Sequence, residues 1–152
     1  MTSTNKPKIV FWVIALSALI WNTMGAYMYI IQKYKTEAFE SQYSPQQLEI
    51  IYNMPAWATA AFALAVFAGV VGSIALACRK KIAFPAYFIS LLGIVVHMIY
   101  TVFMSATLEA DGLTSLLMPI MVLVICLFLY SYSKNAILKA VSYTHLTLPT
   151  KA

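Results

Sequence analysis

Charge is what this chain has least of. Only 10% of its 152 residues are Asp, Glu, Lys or Arg, where soluble domains carry about 25%. That deficit excludes an ordinary soluble globular protein. Disorder is excluded as well, because a disordered chain is poor in apolar residues, and this one is 62% hydrophobic with a mean hydropathy of +0.80. The scarcity extends to chemistry-bearing groups. No acid falls inside any long apolar stretch, so a proton-coupled antiporter of the small multidrug type lacks the embedded carboxylate it would need. Its two cysteines and two histidines form no cluster with ligand spacing, which argues against zinc, and His97, the one histidine within an apolar stretch, is with scattered methionines thin support for a transmembrane haem. Catalysis by Ser, His and an acid fails on the same count, since every acid lies away from His97. No cofactor or metal is expected, and an enzyme is not expected.

What is present is apolar length. Four stretches can cross about 30 Å of hydrocarbon at 1.5 Å per helical residue: roughly Ile9 to Ile31, Pro55 to Cys78, Phe84 to Thr107 and Leu113 to Ser133. None shows the alternating pattern of an outer-membrane strand. Helices are the reading, because in lipid the backbone must satisfy its own hydrogen bonds. The fold class is therefore an all-α integral membrane four-helix bundle, one domain over residues 1–140.

Basic residues orient it. Lys6 and Lys8 precede the first span, Arg79, Lys80 and Lys81 join the second to the third, and Lys134 and Lys139 follow the fourth. The other side receives only Lys33 and Lys35, together with Glu37, Glu40, Glu49, Glu109 and Asp111. This asymmetry predicts both termini in the cytoplasm of a bacterial inner-membrane protein. Basic residues at helix ends are a topology signal and form no contiguous patch for nucleic acid. A cleaved signal peptide is the rival reading of the first span, but the run is too long and Tyr27, Tyr29, Ile30 and Ile31 stand where a small-residue cleavage site would lie. Cys78 and Cys126 lie toward the reducing side, where a disulfide is not expected.

The first outer connection, Gln32 to Met54, has room for structure. Ser44-Pro45-Gln46-Gln47 reads as a helix start with a capping box, and Leu48, Ile51 and Tyr52 follow at helical spacing. A short amphipathic helix on the outer face is expected, with a solvated loop as the alternative. Helix two is crowded with small residues. Ala61, Ala65, Ala68, Gly72 and Ala75 form one row, and Ala65, Gly69, Ser73 and Ala77 another. The face Ala61, Ala65, Gly69, Gly72 and Ser73 lets backbones approach closely. It packs against the chain's own neighbours or against a second copy, as a homo-oligomer; the intramolecular arrangement carries more weight. Trp12, Tyr27, Tyr29, Trp57, Tyr130 and Tyr132 sit at span ends as an interfacial belt facing the lipid bilayer.

Two polar groups lie within the spans. His97 in the third is the one ionisable residue there, and Asn22 in the first is about the same distance along its helix. They are expected either to pair with one another or to be satisfied separately by Ser90, Thr101, Thr23 or a backbone carbonyl. Bundle adhesive is the plainer role for them. Pro119, inside the fourth span, reads as a kink, or as a broken helix lining a site if polar groups converge on it. Met54-Pro55 and Met118-Pro119 hint at an internal repeat, but their flanks do not match.

The last residues are out of character. Val141-Ser142-Tyr143-Thr144-His145-Leu146-Thr147-Leu148-Pro149-Thr150 looks like the in-frame translation of a transposase-based sequencing adapter, so residues 141–152 are set aside from functional reasoning and the native chain is expected to break off near Ala140.

The native part resembles a family of short bacterial inner-membrane proteins of unestablished activity, commonly labelled "sugar transporter". The resemblance is carried by Ile20-Trp21-Asn22 with Gly25, Met54-Pro55-Ala56-Trp57, Phe62 through Gly72-Ser73, Arg79-Lys80-Lys81, Ser90-Leu91-Leu92 and Met118-Pro119. The family pattern has Gln where this chain has His97, which argues for hydrogen bonding there over titration. The resemblance carries over no site residue. A structural or accessory role is expected first, a small-molecule transporter or channel subunit second, and a haem or quinone redox protein last. Transport would require a polar, water-accessible cavity near Asn22 and His97, and the small-molecule ligand is unknown.

Overall fold

The computed structural model describes residues 7–146, with side chains as far as residue 139. Lys6 and residues 147–152 therefore lie outside the described residues. So do the side chains of the adapter-like stretch, whose first six residues continue the last helix.

The described chain is helix and turn, with four helices long and apolar enough to cross a membrane. The elements are α1 (Ile9–Lys33), α2 (Glu37–Glu40), α3 (Pro45–Tyr52), α4 (Ala56–Ala77), α5 (Ala83–Ile99), α6 (Thr107–Asp111) and α7 (Leu117–Leu146). A π-helical turn, Tyr100–Met104, extends α5, and a 3-10 turn, Gly112–Leu116, leads into α7.

Two span boundaries differ from the hydropathy reading. The third span leaves α-helical geometry at Tyr100. There the Ser105 N–H donates to Tyr100 O at 3.0 Å, while Thr101 Oγ1 donates to His97 O at 3.0 Å and Ser105 Oγ to Thr101 O. Hydroxyls that bond carbonyls one turn back compete with the α-helical ladder and favour this wider turn. The fourth span starts its α-helix at Leu117, not Leu113. Pro119 consequently lies in the first turn, where its missing N–H has no intrahelical partner to lose. The expected mid-helix position is thus replaced by one in the first α-helical turn, directly after the 3-10 turn.

Side-chain size is inverted relative to a soluble core. The largest fully buried side chains are Ser73 and Ser133, and Ala15 and Ala58 are completely covered, whereas Ile9, Phe103 and Leu113 are nearly 80% exposed. In lipid no hydrophobic effect drives Leu or Phe inward, so helices associate where small residues allow close van der Waals contact. α4 is accordingly the most buried helix and α7 the least. α4 packs along both α1 and α5, α7 packs on α5, and α1 and α7 meet little. They approach at the end that carries the Arg79–Lys81 turn, where Ala15, Ala18, Leu76, Ala83, Tyr87 and Leu129 form one cluster.

At the opposite end the connections are pinned. Ser44 Oγ accepts from Gln47 N–H at 3.3 Å, and Gln47 Oε1 accepts from Ser44 N–H at 2.8 Å. Gln47 Nε2 also donates to both Asp111 oxygens, at 2.9 and 3.0 Å, which ties α3 to α6. Lys35 Nζ sits 4.4 Å from the centroid of the Tyr52 ring, and the Tyr52 hydroxyl donates to Glu40 at 2.9 Å. Burial, then the Glu40 carboxylate, hold the Tyr52 phenol above its ordinary range.

α1 and α4 end alike. Lys35 N–H donates to Gln32 O and Thr36 N–H to Ile31 O, and Arg79 and Lys80 repeat this on Leu76 and Ala75. Both are Schellman closures, which call for a left-handed residue and favour glycine. Lys35 and Arg79 hold φ of 49° and 58°. Arg79→Gly should therefore raise stability by about 0.5–1 kcal/mol, read as a higher midpoint in detergent unfolding. An unchanged or lower midpoint would mean that Arg79 makes a compensating contact.

Candidate functional site

The polar residues of the bundle interior form two separate groups. The first centres on Ser73. Its Oγ donates to Gly69 O at 2.8 Å, and with that proton engaged it must accept from its other partners. These are Asn22 Nδ2 at 3.1 Å and the Tyr87 hydroxyl at 2.9 Å. Asn22 Nδ2 also donates to Ala18 O at 2.8 Å. The network joins α1, α4 and α5, and it requires the small residues around it. A Cβ at Gly69 would collide with Asn22 Oδ1, and one at Gly72 would stand 3.0 Å from the Tyr87 ring.

The second group surrounds His97. Its Nδ1 lies 3.3 Å from Ala58 O, and its ring stacks on Phe62 with centroids 4.9 Å apart. A carbonyl only accepts, so Nδ1 carries the proton and Nε2 presents a lone pair.

Asn22 and His97 thus do not pair with each other. Each takes a backbone carbonyl, the alternative their sequence also allowed, and Ser73 is the partner that sequence reasoning missed. Equal counting from the helix starts was misleading because α1 begins further out than α5. Ala83 and Tyr87 stand level with Ala15 and Ala18, and the space above Gly69 faces both Asn22 and Ser90. His97 is two turns beyond Ser90, about 10 Å at 1.5 Å per residue.

The small face of α4 is engaged within the chain. Ala65, Gly69, Gly72 and Ser73 are buried, and Ala61 is half-buried. Sequence reading of α4 alone missed the complementary glycine on α5. A Cβ at Gly93 would lie 2.7 Å from Ala61 O and 2.8 Å from Ala65 N, so backbone touches backbone there. Ser90 Oγ adds a donated bond to Ala65 O at 2.7 Å.

Asn22 and His97 nevertheless line one cavity of about 370 Å³. α4 and α5 form its floor through Phe62, Ala65, Val66, Ser90, Ile94 and His97, while Trp21, Met24 and Met28 of α1 face Met118, Pro119, Val122 and Cys126 of α7. Its lining is overwhelmingly apolar. Met24 and Met118 are more than half exposed, and α1 and α7 touch little, so the cavity is a cleft that opens between these two helices. Among the described residues no group of three metal-ligating side chains exists.

No family model, curated protein or solved structure matches the chain.

Proposed function

We propose that this chain is a multi-pass protein of the bacterial inner membrane, both termini cytoplasmic, with an accessory role: it retains a membrane-soluble molecule in the cleft between α1, α4, α5 and α7. The carrying observation is a cavity of about 370 Å³ whose walls are apolar and whose edge is formed by the exposed Met24 and Met118 of two apolar helices. Occupants would enter from hydrocarbon without crossing water. That chemistry counts against the sugar transport named in the label of the resembling family. A sugar would leave several hydroxyls unpaired among methionine, valine and phenylalanine, and each unpaired polar group costs about 1–3 kcal/mol. The orientation rests on the clustering of basic residues at one end, including Arg79, Lys80 and Lys81.

Both parts are testable. In a protein carrying Trp12→Phe and Trp57→Phe, Trp21 of the cleft is the one indole left, and bromododecane in proteoliposomes should quench it saturably. Val122→Phe, which fills the cleft, should abolish the saturable component. Linear quenching alone, or exchange of hexoses across the proteoliposomes, would overturn the reading. For topology, a cysteine at Ser41 should react with an impermeant maleimide in intact cells and one at Lys80 only after lysis, in a Cys78→Ser, Cys126→Ser background. The opposite pattern reverses the orientation.

A further inference from the structure

The cleft's hydrogen-bonding inventory is one-sided. Both amide protons of Asn22 are engaged, by Ala18 O and Ser73 Oγ. The Ser90 proton goes to Ala65 O, and the Nδ1 proton of His97 to Ala58 O. Two side-chain polar atoms of the cleft, His97 Nε2 and Asn22 Oδ1, make no hydrogen bond of their own, and both are acceptors. Neither is sealed away, since no buried side-chain nitrogen or oxygen among the described residues lacks a partner. The other donors in the lining are the Trp21 indole and the weakly donating Cys126 thiol, which lies against Ser90.

From this asymmetry we infer that the cleft binds a lipid alcohol, a membrane-resident molecule with a hydrocarbon body and a hydroxyl that donates to His97 Nε2; the inference rests on the cleft-binding function proposed above. A hydroxyl supplies the proton that the site lacks. A ketone, ester, ether or quinone brings only lone pairs and would set one against the lone pair of His97 Nε2, so these are discriminated against. Position agrees with the assignment. His97 is one turn before Tyr100, which packs edge-on against Trp57 at 5.5 Å, so the free acceptor lies beside the interfacial aromatic belt. Asn22 and Ser90 lie deeper, about two turns along the cleft. An amphiphile would keep its hydroxyl near the interface and lay its chain toward the bilayer centre, the orientation it already has in the membrane. The cavity of about 370 Å³ is more than twice the roughly 150 Å³ that holds a benzene ring, which leaves room for a medium-chain alcohol.

The test uses the single-tryptophan protein in proteoliposomes and three probes at equal mole fraction in the bilayer: terminally brominated dodecanol, its methyl ether, and bromododecane. Saturable quenching of Trp21 should be about tenfold tighter for the alcohol than for the ether. His97→Gln, which keeps an acceptor, should retain that preference. His97→Phe and His97→Met, which keep apolar bulk without one, should reduce it to under about twofold while bromododecane still binds. Equal binding of alcohol and ether in the unsubstituted protein, or a preference that survives both acceptor-free variants, overturns the assignment and leaves the cleft reading intact. Absence of saturable quenching by all three probes overturns both.

Discussion

Replacing Gly93 by alanine should destabilise the bundle by about 2–3 kcal/mol, near the upper range for overpacking a close contact. The added methyl would stand 2.7 Å from Ala61 O, 2.8 Å from Ala65 N and 3.1 Å from Ala65 Cα. All three are backbone atoms of α4 where it packs against α5, so no rotamer change relieves the contact. The helices must separate. Separation also lengthens the bond from Ser90 Oγ to Ala65 O and the contact of His97 with Ala58 O. Gly25→Ala is the internal comparison. Its Cβ would meet Val66 Cγ1 at 3.3 Å, a side chain that can shift by a few tenths of an ångström. It should change stability by less than about 0.5 kcal/mol. Reversible unfolding in mixed micelles measures both, and equal midpoints for the two variants would remove the claim that backbone contact at Gly93 holds α4 to α5.

The second large effect is a coupling. Gly69→Ala places a methyl against Asn22 Oδ1, and Asn22 cannot swing away without releasing Ala18 O and Ser73 Oγ. The single substitution should cost about 2 kcal/mol. Asn22→Ala alone loses the two donated bonds and should cost about 1–2 kcal/mol. Combined, the new methyl occupies space vacated by the amide, so the pair should be less damaging than the sum by about 1 kcal/mol or more. Ser90 Oγ at 3.2 Å from the new Cβ keeps the relief incomplete. A double-mutant cycle in the same unfolding assay reads the coupling. Additivity within about 0.5 kcal/mol would show that Asn22 does not press on Gly69.

Much of this was legible before any coordinates. Four helices long and apolar enough to span a bilayer follow from hydropathy, because a spanning backbone has one economical way to satisfy itself. The packing role of Gly69 and Ser73 was legible from small-residue spacing, since in lipid only close approach is rewarded. The partner of that face was not. Gly93 stands alone on α5 and forms no row, and its meaning comes entirely from the α4 backbone opposite.

The limits of the spans show the same division. Hydropathy carries the third span to Thr107 and starts the fourth at Leu113, but the π turn at Tyr100–Met104 arises from hydroxyl-to-carbonyl bonds that an apolarity profile does not register. Pro119 changed from a mid-helix proline to a first-turn one when the helix start moved four residues along.

The sequence by itself determined that the chain is helical, how many apolar helices it has, and which of them must be small-faced, because these depend on composition and local periodicity. Tertiary structure alone decided that Asn22 answers to Ser73 and His97 to Ala58, about two turns apart, and that a cleft remains where α1 and α7 diverge. The physical reason is stagger. Residue spacing fixes position along one helix, but the relative height of two helices is set by where small residues let their backbones touch, and that is a property of the pair.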